Sequence, residues 1–315
     1  MASAGVGFHP EPSGKRNTRM KNRKCMTYSL AFMAFAFTTA TAEAPSITFH
    51  FAKFNVPGAA QTALGGINNA GVIAGVYTDK NQHTHCFTKN GTTVTTIDAP
   101  KGTDDQCGSI NNHGAVVGTY TNANTGYDVG FLYQNGKFTD IADPAGTFGT
   151  EAHAINDNGD IVGSYRTTSG VHGFLLRKGR YKTLSVPTSP TYTVATGINN
   201  KGDIVLIYLS LKSGGLASDF YNLKKYKDIS PPGSMESAPT GINNEGDISF
   251  DSFAVVHGSQ QTTGSLLHGR TYYPFSYPKV AETYGGGLND KGMMAGSYQV
   301  KNINGPYSGY IATYR

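Results

Sequence analysis

Apolar and polar residues alternate along most of the chain after residue 46, in short stretches separated by turns rich in Asn, Asp and Gly. Alternation with a period of two is typical of β-strands with one buried face. In the stretch 152–186 it predicts four strands, at 152–156, 160–165, 172–176 and 180–186. Asn and Gly suit the turns between them because both tolerate positive φ. The pattern therefore predicts a unit of two β-hairpins.

This unit recurs six times. A five-residue phrase recurs at steps of 43 to 46 residues. It consists of Ile or Leu, then Asn, then Asn or Asp, then any residue, then Gly. The six copies start at Ile67, Ile110, Ile155, Ile198, Ile242 and Leu288. In five units a tyrosine follows ten residues later, as Tyr77, Tyr120, Tyr165, Tyr208 and Tyr298. About twenty residues after the leading Ile or Leu comes a further aromatic, as Phe87, Phe131, Phe174, Phe220 and Tyr310. We interpret all three sets as packing residues, because they recur with the strands.

Four strands in about 44 residues, repeated six times, are typical of the blades of a β-propeller. The predicted fold is all-β, a six-bladed β-propeller over residues 46–315. The sixth unit stops after its third strand, and residues 47–57 resemble a fourth strand with its closing proline. We predict that this N-terminal strand completes the last blade and removes the exposed sheet edges. An open β-solenoid is the alternative, and it would need atypical capping repeats that we do not find.

Residues 1–42 have the pattern of a signal peptide. Basic residues cluster at 15–24, an apolar stretch covers 26–37, and an Ala-x-Ala cleavage site ends at Ala42. Cleavage after Ala44 is less favourable because Pro45 would adjoin the cut bond, and translation starting at Met20 or Met26 is an alternative to the long polar lead. The apolar stretch is shorter than the ~20 residues that span a bilayer. We expect a secreted or extracellular protein, periplasmic in a Gram-negative cell, with no membrane span after signal removal.

The net charge changes the picture of possible partners. The chain carries +5, but residues 1–42 hold six basic residues and one acidic residue, so residues 43–315 are neutral. A neutral domain does not attract phosphate backbones, and we expect no nucleic-acid partner. No nucleotide-binding glycine motif occurs, so we expect no nucleotide cofactor. We also expect a monomer.

The cysteines predict a disulfide. Cys25 is removed with the signal peptide, and an oxidising compartment favours a disulfide between Cys86 and Cys107. Two buried free thiols are the alternative.

The recurring Ile-Asn-Asn-x-Gly phrase, the Gly-x-Tyr strand and the triplets His85-Cys-Phe87 and His172-Gly-Phe174 resemble bacterial extracellular repeat proteins of the HAF (His-Ala-Phe) type. The middle Ala of that signature is absent, and the His is missing from four of the six repeats. The resemblance covers the whole mature chain. It implies export and a propeller-like repeat fold, and it implies no settled activity.

The candidate binding residues lie in the predicted connections between blades. In a propeller the short turns share one face, and the long second-to-third and blade-to-blade connections share the other, here called the long-loop face. These connections carry acids and aromatics, namely Asp104, Asp105, Phe148, Glu151, Tyr192, Glu236, Glu282 and Tyr284. Aromatic rings stack on sugars while carboxylates accept hydroxyl hydrogen bonds. The favoured function is non-catalytic recognition of a glycan or another extracellular polymer; the alternatives are a glycoside hydrolase or lyase that uses two of these carboxylates, and a protein-interaction scaffold in which the loops are simply solvated.

Other motifs carry less information. The loop 156–160 is rich in Asn and Asp, but it lacks the spacing of an EF-hand, so we interpret it as a turn that caps its own backbone rather than a calcium site. His85 and His172 fall in different blades and are not expected to share a metal ion. The Ser276–Lys279 pair has the spacing of a Ser-x-x-Lys motif, but Pro278 interrupts it. The sequence thus predicts no metal site, names no catalytic residue and favours a protein that is not an enzyme.

Overall fold

The computed structural model describes residues 46–100, 102–256, 259–300 and 305–315. The predicted signal peptide, residues 1–42, lies outside the described residues. No helix long and apolar enough to cross a membrane occurs in the described part of the chain.

The described residues form six four-stranded antiparallel sheets, which are the six predicted blades. The first strand of the chain, β1 (Phe49–Phe54), does not belong to the first blade. Blade 1 contains β2 (Gln61–Ile67), β3 (Ile73–Thr78), β4 (Thr84–Asn90) and β5 (Thr93–Ile97). Blade 2 contains β6 (Gly102–Ile110), β7 (Val116–Asn122), β8 (Asp128–Gln134) and β9 (Lys137–Ile141). Blade 3 contains β10 (Thr150–Ile155), β11 (Ile161–Thr167), β12 (Gly170–Arg177) and β13 (Arg180–Leu184).

The second half of the ring repeats this order. Blade 4 contains β14 (Thr193–Ile198), β15 (Ile204–Leu209), β16 (Leu216–Tyr221) and β17 (Tyr226–Asp228). Blade 5 contains β18 (Glu236–Ile242), β19 (Ile248–Val256), β20 (Ser259–His268) and β21 (Thr271–Phe275). Blade 6 contains β22 (Glu282–Leu288), β23 (Met293–Gln299) and β24 (Tyr307–Tyr314). The strands of blade 3 agree with the sequence prediction to within two residues at each end.

The N-terminal strand closes the ring, as predicted. Strand β1 pairs antiparallel with β24, from Phe49 opposite Tyr314 to Phe54 opposite Gly309, and becomes the outer strand of blade 6. Its rings also reach the neighbouring blades. Phe49 lies 4.8 Å from the Phe275 ring of blade 5, and Phe54 lies 6.2 Å from the Phe87 ring of blade 1. The first strand therefore joins three blades.

The repeated apolar residues are the core, as the sequence predicted. The six leading Ile and Leu residues are 4–8% exposed, and Phe87, Phe131, Phe174 and Tyr310 are fully buried. Each of these four rings lies opposite a glycine on the neighbouring strand, as Phe174 does opposite Gly163. A Cβ on Gly163 would meet the Phe174 ring at 2.9 Å and clash with the Glu151 carbonyl. The Gly-x-Tyr strand thus leaves room for the aromatic ring.

In blades 4 and 5 the positions of the glycine and the facing aromatic ring are filled by other residues. In blade 4 the buried Leu206 takes the glycine position, and Asp219 lies opposite it. In blade 5 the ring changes strand, since the buried Phe250 lies opposite Ser265. The sequence lengthens the fifth unit over residues 250–264, where we expect an irregular loop, but the extra length is regular strand. It extends β19 and β20 into a hairpin that stays in register from Ile248–Leu267 to Val256–Ser259.

The first asparagine of each repeated phrase forms hydrogen bonds that link the six inner strands. Its side-chain Nδ2 donates to the backbone carbonyl of the equivalent asparagine in the next blade, at 2.9–3.2 Å. The six residues form a closed circle of bonds, comprising Asn68, Asn111, Asn156, Asn199, Asn243 and Asn289. Their Oδ1 atoms accept amide hydrogens of their own turns, as the Oδ1 of Asn156 does from Asn158 and Asp160. These turns therefore cap their own backbone, as the sequence suggested.

The next residue of each phrase forms a second circle, here called the amide ring. It consists of Asn69, Asn112, Asp157, Asn200, Asn244 and Asp290, in this order around the axis. Each backbone amide donates to the side-chain Oδ1 of the next member, at 2.7–2.9 Å. The two aspartates lie three blades apart, so every asparagine has one aspartate neighbour. Each asparagine donates its Nδ2 to that aspartate's Oδ2.

Candidate functional site

The exposed large apolar side chains lie on one face of the propeller. Among the described residues six such side chains are at least 36% exposed, namely Tyr127, Phe148, Leu209, Leu211, Met235 and Val300. All six lie at or in the second-to-third loops or the blade-to-blade connections, which together form the long-loop face. Exposed apolar side chains that concentrate on one face are typical of an interaction surface.

A charged cluster at blade 3 lies on this face. Glu151, near the start of β10, pairs with Arg166 at 2.6 Å and lies 3.5 Å from the Nε2 atom of His153. The Arg166 side chain is 54% exposed and the Glu151 side chain 22%. Hydrogen bonding to His153 and to Arg166 lowers the pKa of Glu151 to about 2, against the opposing effect of burial. Glu151 is therefore ionised at neutral pH, which suits hydrogen bonding to a ligand rather than proton donation.

Two aromatic rings flank this cluster. Phe148 and Tyr127 pack edge to face with ring centroids 5.9 Å apart, although each remains at least 40% exposed. The backbone amide of Phe148 donates to the carbonyl of Arg166, and the amide of Arg166 donates to the carbonyl of Gly149. The connection between blades 2 and 3 is thus fixed against β11, and it holds an aromatic pair beside a charged pair.

The exposed surface continues across blades 4 and 5. The carbonyl of Tyr192 accepts the amide of Leu209, and Leu211 follows with 77% exposure. Met235, 63% exposed, precedes Glu236 in the connection to blade 5. The sequence also favours this side, because Leu206-Ile207-Tyr208 replaces the usual Gly before Tyr in the fourth unit and the fifth unit is lengthened over 250–264. The residues Tyr127, Phe148, Glu151, Arg166, Tyr192, Leu209, Leu211 and Met235 are called the loop-face band below.

Other predicted site residues are placed differently. Asp105 is 3% exposed and accepts the backbone amide of Ala99, and burial raises its pKa to about 6. Glu282 is also 3% exposed and accepts the amide of Thr262. The Tyr284 hydroxyl donates to Gln299. Asp104 is exposed, with a φ of 55°. The loop-face band thus takes Phe148, Glu151 and Tyr192 from the predicted set, with Glu236 at its edge.

The axis of the propeller offers no room for a sugar. The axial cavity is about 80 Å³ and is lined by inner-strand residues, including His153, Thr196 and Thr240. None of Asp104, Asp105, Glu151, Glu236 and Glu282 belongs to its lining. Small-molecule sites usually enclose about 300–1,000 Å³. The candidate carboxylates therefore do not converge on this cavity, as a hydrolase that used it would require.

The remaining sequence candidates have ordinary partners. His85 contacts Asp98 at 3.0 Å, whereas His172 bonds Thr167 and Ser169 in another blade. Within the described ranges, no group of three or more His, Cys, Asp or Glu side chains is arranged to hold a metal ion. Cys86 and Cys107 form a disulfide with Cα atoms 5.3 Å apart. It joins the third strand of blade 1 to the inner strand of blade 2.

Sequence reasoning missed three residues of interest. Arg166 and Tyr127 lie outside the blade-to-blade connections, which carry the predicted acids and aromatics. Asp251, in β19, stands where the equivalent positions of β11 and β23 hold Ser164 and Ser297. Aligning the second strands of the repeats would have revealed it, since no other second strand has an acid there. Its Oδ1 accepts the amide of Gly285 in blade 6 at 2.6 Å, and burial raises its pKa to about 7.

Replacing Asp251 with asparagine is expected to remove part of the pH dependence of stability. The folded protein holds this proton up to about pH 7, whereas an unfolded Asp releases it near pH 4, so stability falls as pH rises between these values. Asparagine keeps an oxygen acceptor for Gly285 and has no charge. We expect D251N to match the unchanged protein near pH 4 and to be roughly 3 kcal/mol more stable at pH 8 in urea unfolding, since one pKa unit is worth about 1.4 kcal/mol. The exposed control E245Q should show no such difference, and a loss of stability for D251N at pH 8 would contradict this expectation.

Comparison with known proteins supports the fold. No family model matches the chain, and no curated protein matches it. A TolB-like protein from Agrobacterium tumefaciens superposes with a TM-score of 0.55 at 10% identity, over 85% of this chain and 98% of that one. The SapL1 lectin, solved with α-methyl fucoside, gives 0.53 at 8% identity over 80% and 92%. A lectin from Aleuria aurantia, solved with Fucα1-6GlcNAc, gives 0.50 at 9% identity over 80% and 96%. At these identities the likenesses show a shared β-propeller fold and nothing further.

Proposed function

We propose that this protein is a non-catalytic recognition module that binds an extracellular glycan or a similar polymer through the loop-face band. The observation that carries the proposal is the position of the exposed apolar side chains. All six lie on the long-loop face, and the Tyr127–Phe148 pair lies beside the ionised Glu151–Arg166 pair. Rings that stack on a sugar and charged groups that bond its hydroxyls are the usual means of carbohydrate binding.

The structural neighbours support this proposal indirectly. Two of them are lectins solved with fucose-containing ligands, so the fold is compatible with sugar binding. A fold hosts many functions, and the proposed binding depends on the side chains of this chain. We further propose that the chain is exported after cleavage following Ala42, acts as a monomer and belongs with the HAF-type repeat proteins that its sequence resembles. The sequence pattern supports these three points.

The test uses residues 46–315 against a panel of soluble neutral polysaccharides, with bound fraction and newly formed reducing ends measured in the same samples. We expect retention without new reducing ends. The double variant F148A/R166A should lower binding about tenfold or more, since it removes a stacking ring and a hydroxyl-binding cation. The matched control K291N changes an exposed residue on the opposite face and should bind as the unchanged protein does.

Three outcomes would overturn the proposal. Binding that survives F148A/R166A would place the site elsewhere. New reducing ends that vanish in E151Q or E236Q would make the protein a carbohydrate-active enzyme. No retention of any polysaccharide would leave a protein partner as the better explanation of the exposed band.

A further inference from the structure

The neutral domain is strongly polarised along its chain. Residues 98–160 hold nine acidic and two basic residues, whereas residues 166–227 hold ten basic and two acidic residues. The fold places most of the second segment in blades 3 and 4, which are neighbours. The net charge of the domain is therefore zero although blades 3 and 4 carry an excess of basic residues.

The basic residues concentrate on the short-turn face, opposite the loop-face band. The turn between β12 and β13 carries Arg177, Lys178 and Arg180 in four consecutive residues, and Lys182 follows on β13. Lys178 and Gly179 both have positive φ, of 50° and 73°, which makes a tight two-residue hairpin turn. The equivalent turn of blade 2 carries one cation, Lys137, whereas that of blade 4 carries Lys224 and Lys225, so the basic turns belong to blades 3 and 4.

These side chains border a groove between blades 3 and 4, here called the basic groove. It encloses about 610 Å³, with Arg177, Lys178, Arg180 and Lys182 on its walls and Leu175 and Leu223 in its lining. The Gly202 Cα lies close enough to this corner that a Cβ would meet Arg177 Nη2 at 2.8 Å and Leu223 Cδ1 at 3.3 Å. The exposed Lys201 therefore flanks one end of the groove.

The positive charge of the groove is only partly neutralised. Arg177 pairs with Asp160 at 2.8 Å, and Lys182 lies over the Tyr221 ring with its Nζ 5.5 Å from the centroid. In the ranges that the structure covers, no carboxylate lies within 4.0 Å of the charged nitrogens of Lys178 or Arg180. Arg180 also stands directly opposite Arg177 in the strand register, where like charges are destabilising. An anion bound between the two guanidinium groups would relieve that repulsion.

We propose that the basic groove binds an anionic polysaccharide through the carboxylates of its uronic acid residues. Arg180 can hold a carboxylate with two parallel hydrogen bonds, and Lys178 adds a second cation beside it. The half-buried Leu223 and Tyr181 side chains offer an apolar surface for the C–H faces of a sugar, whereas Leu175 is almost fully buried. Nucleic acid fits less well because base stacking needs an exposed aromatic ring, and Tyr181, which lines the groove, is half-buried and packs edge to face at 5.5 Å against Phe174. This inference stands on a different face from the loop-face band and does not depend on it.

The test measures binding of residues 46–315 to polygalacturonate, with dextran as the uncharged polymer. We expect binding to polygalacturonate that weakens as NaCl rises from about 50 mM to 300 mM, because the ion pairs are screened. The double variant K178N/R180T copies turn residues of blades 2 and 1, Asn135 and Thr93, so it should fold normally. We expect it to reduce affinity about tenfold or more, as the loss of two carboxylate contacts implies.

The matched control is K137T/K291N, which also removes two positive charges, but from exposed positions on the same face in blades 2 and 6. It should retain affinity within about twofold. Equal loss in both double variants would mean diffuse charge attraction and would overturn the proposal, as would absence of binding at low salt. Tighter binding to poly(U) RNA or to anionic lipid vesicles than to polygalacturonate would also overturn it. F148A/R166A should bind polygalacturonate normally, so failure of the recognition proposal is a separate result.

Discussion

A chain that begins at Gly58, and so lacks strand β1, is expected to lose most of its stability. The deletion removes six paired positions along β24 and three partly buried phenylalanine rings, Phe49, Phe51 and Phe54. These rings contact Phe275, Tyr310 and Phe87, so blades 5, 6 and 1 all lose packing. Truncation of partly buried rings of this kind sums to roughly 5 kcal/mol, comparable with the whole stability of many domains.

The measurement compares residues 58–315 with residues 46–315 by thermal unfolding. We expect the shorter chain to melt roughly 15 °C lower and to aggregate through the exposed edge of β24. A synthetic peptide of residues 46–57 should restore part of the lost stability. The same peptide with serine in place of the three phenylalanines should not restore it. Equal melting temperatures for the two chains would show that β1 does not hold the ring closed.

The double variant D157N/D290N is expected to show the second-largest effect, because it removes both carboxylates of the amide ring. Each carboxylate accepts two side-chain Nδ2 groups and one backbone amide. Asparagine keeps the backbone bond but turns a second donor toward the two Nδ2 groups. Losing charge-assisted bonds at these partly buried positions should cost about 2 kcal/mol for each aspartate and about 4 kcal/mol together, since the sites are three blades apart.

The pH dependence distinguishes this mechanism from a general loss of packing. Burial alone would raise the pKa of Asp157 and Asp290, but the hydrogen bonds of their asparagine neighbours outweigh it and lower both pKa values. The stability that they contribute is therefore present above the ordinary Asp pKa near 4 and is lost as pH falls below it. In urea unfolding, the gap between D157N/D290N and the unchanged protein should be widest at pH 7 and should narrow toward pH 3. The exposed control E245Q, in the equivalent turn of blade 5, should unfold as the unchanged protein does.

The candidate site was only partly predictable. The sequence located Glu151 and Phe148 because acids and aromatics share the blade-to-blade connections. It could not show that the side chains of Glu282 and Asp105 are buried, since burial there depends on how a neighbouring strand covers each side chain. Arg166 was missed because it reaches Glu151 across a strand pair, from fifteen residues away along the chain.

The sequence by itself determined the number of blades, the order of their strands and the closing role of the N-terminus. These follow from local pattern, because each repeat carries its own strand alternation, its own turn residues and its own core aromatic. The tertiary structure alone decided which side chains meet between blades. The amide ring needs one aspartate beside every asparagine around a closed circle, and the basic groove needs the turn of blade 3 beside Leu223 of blade 4. Contacts between units depend on the angle and spacing of neighbouring blades, which no single repeat encodes.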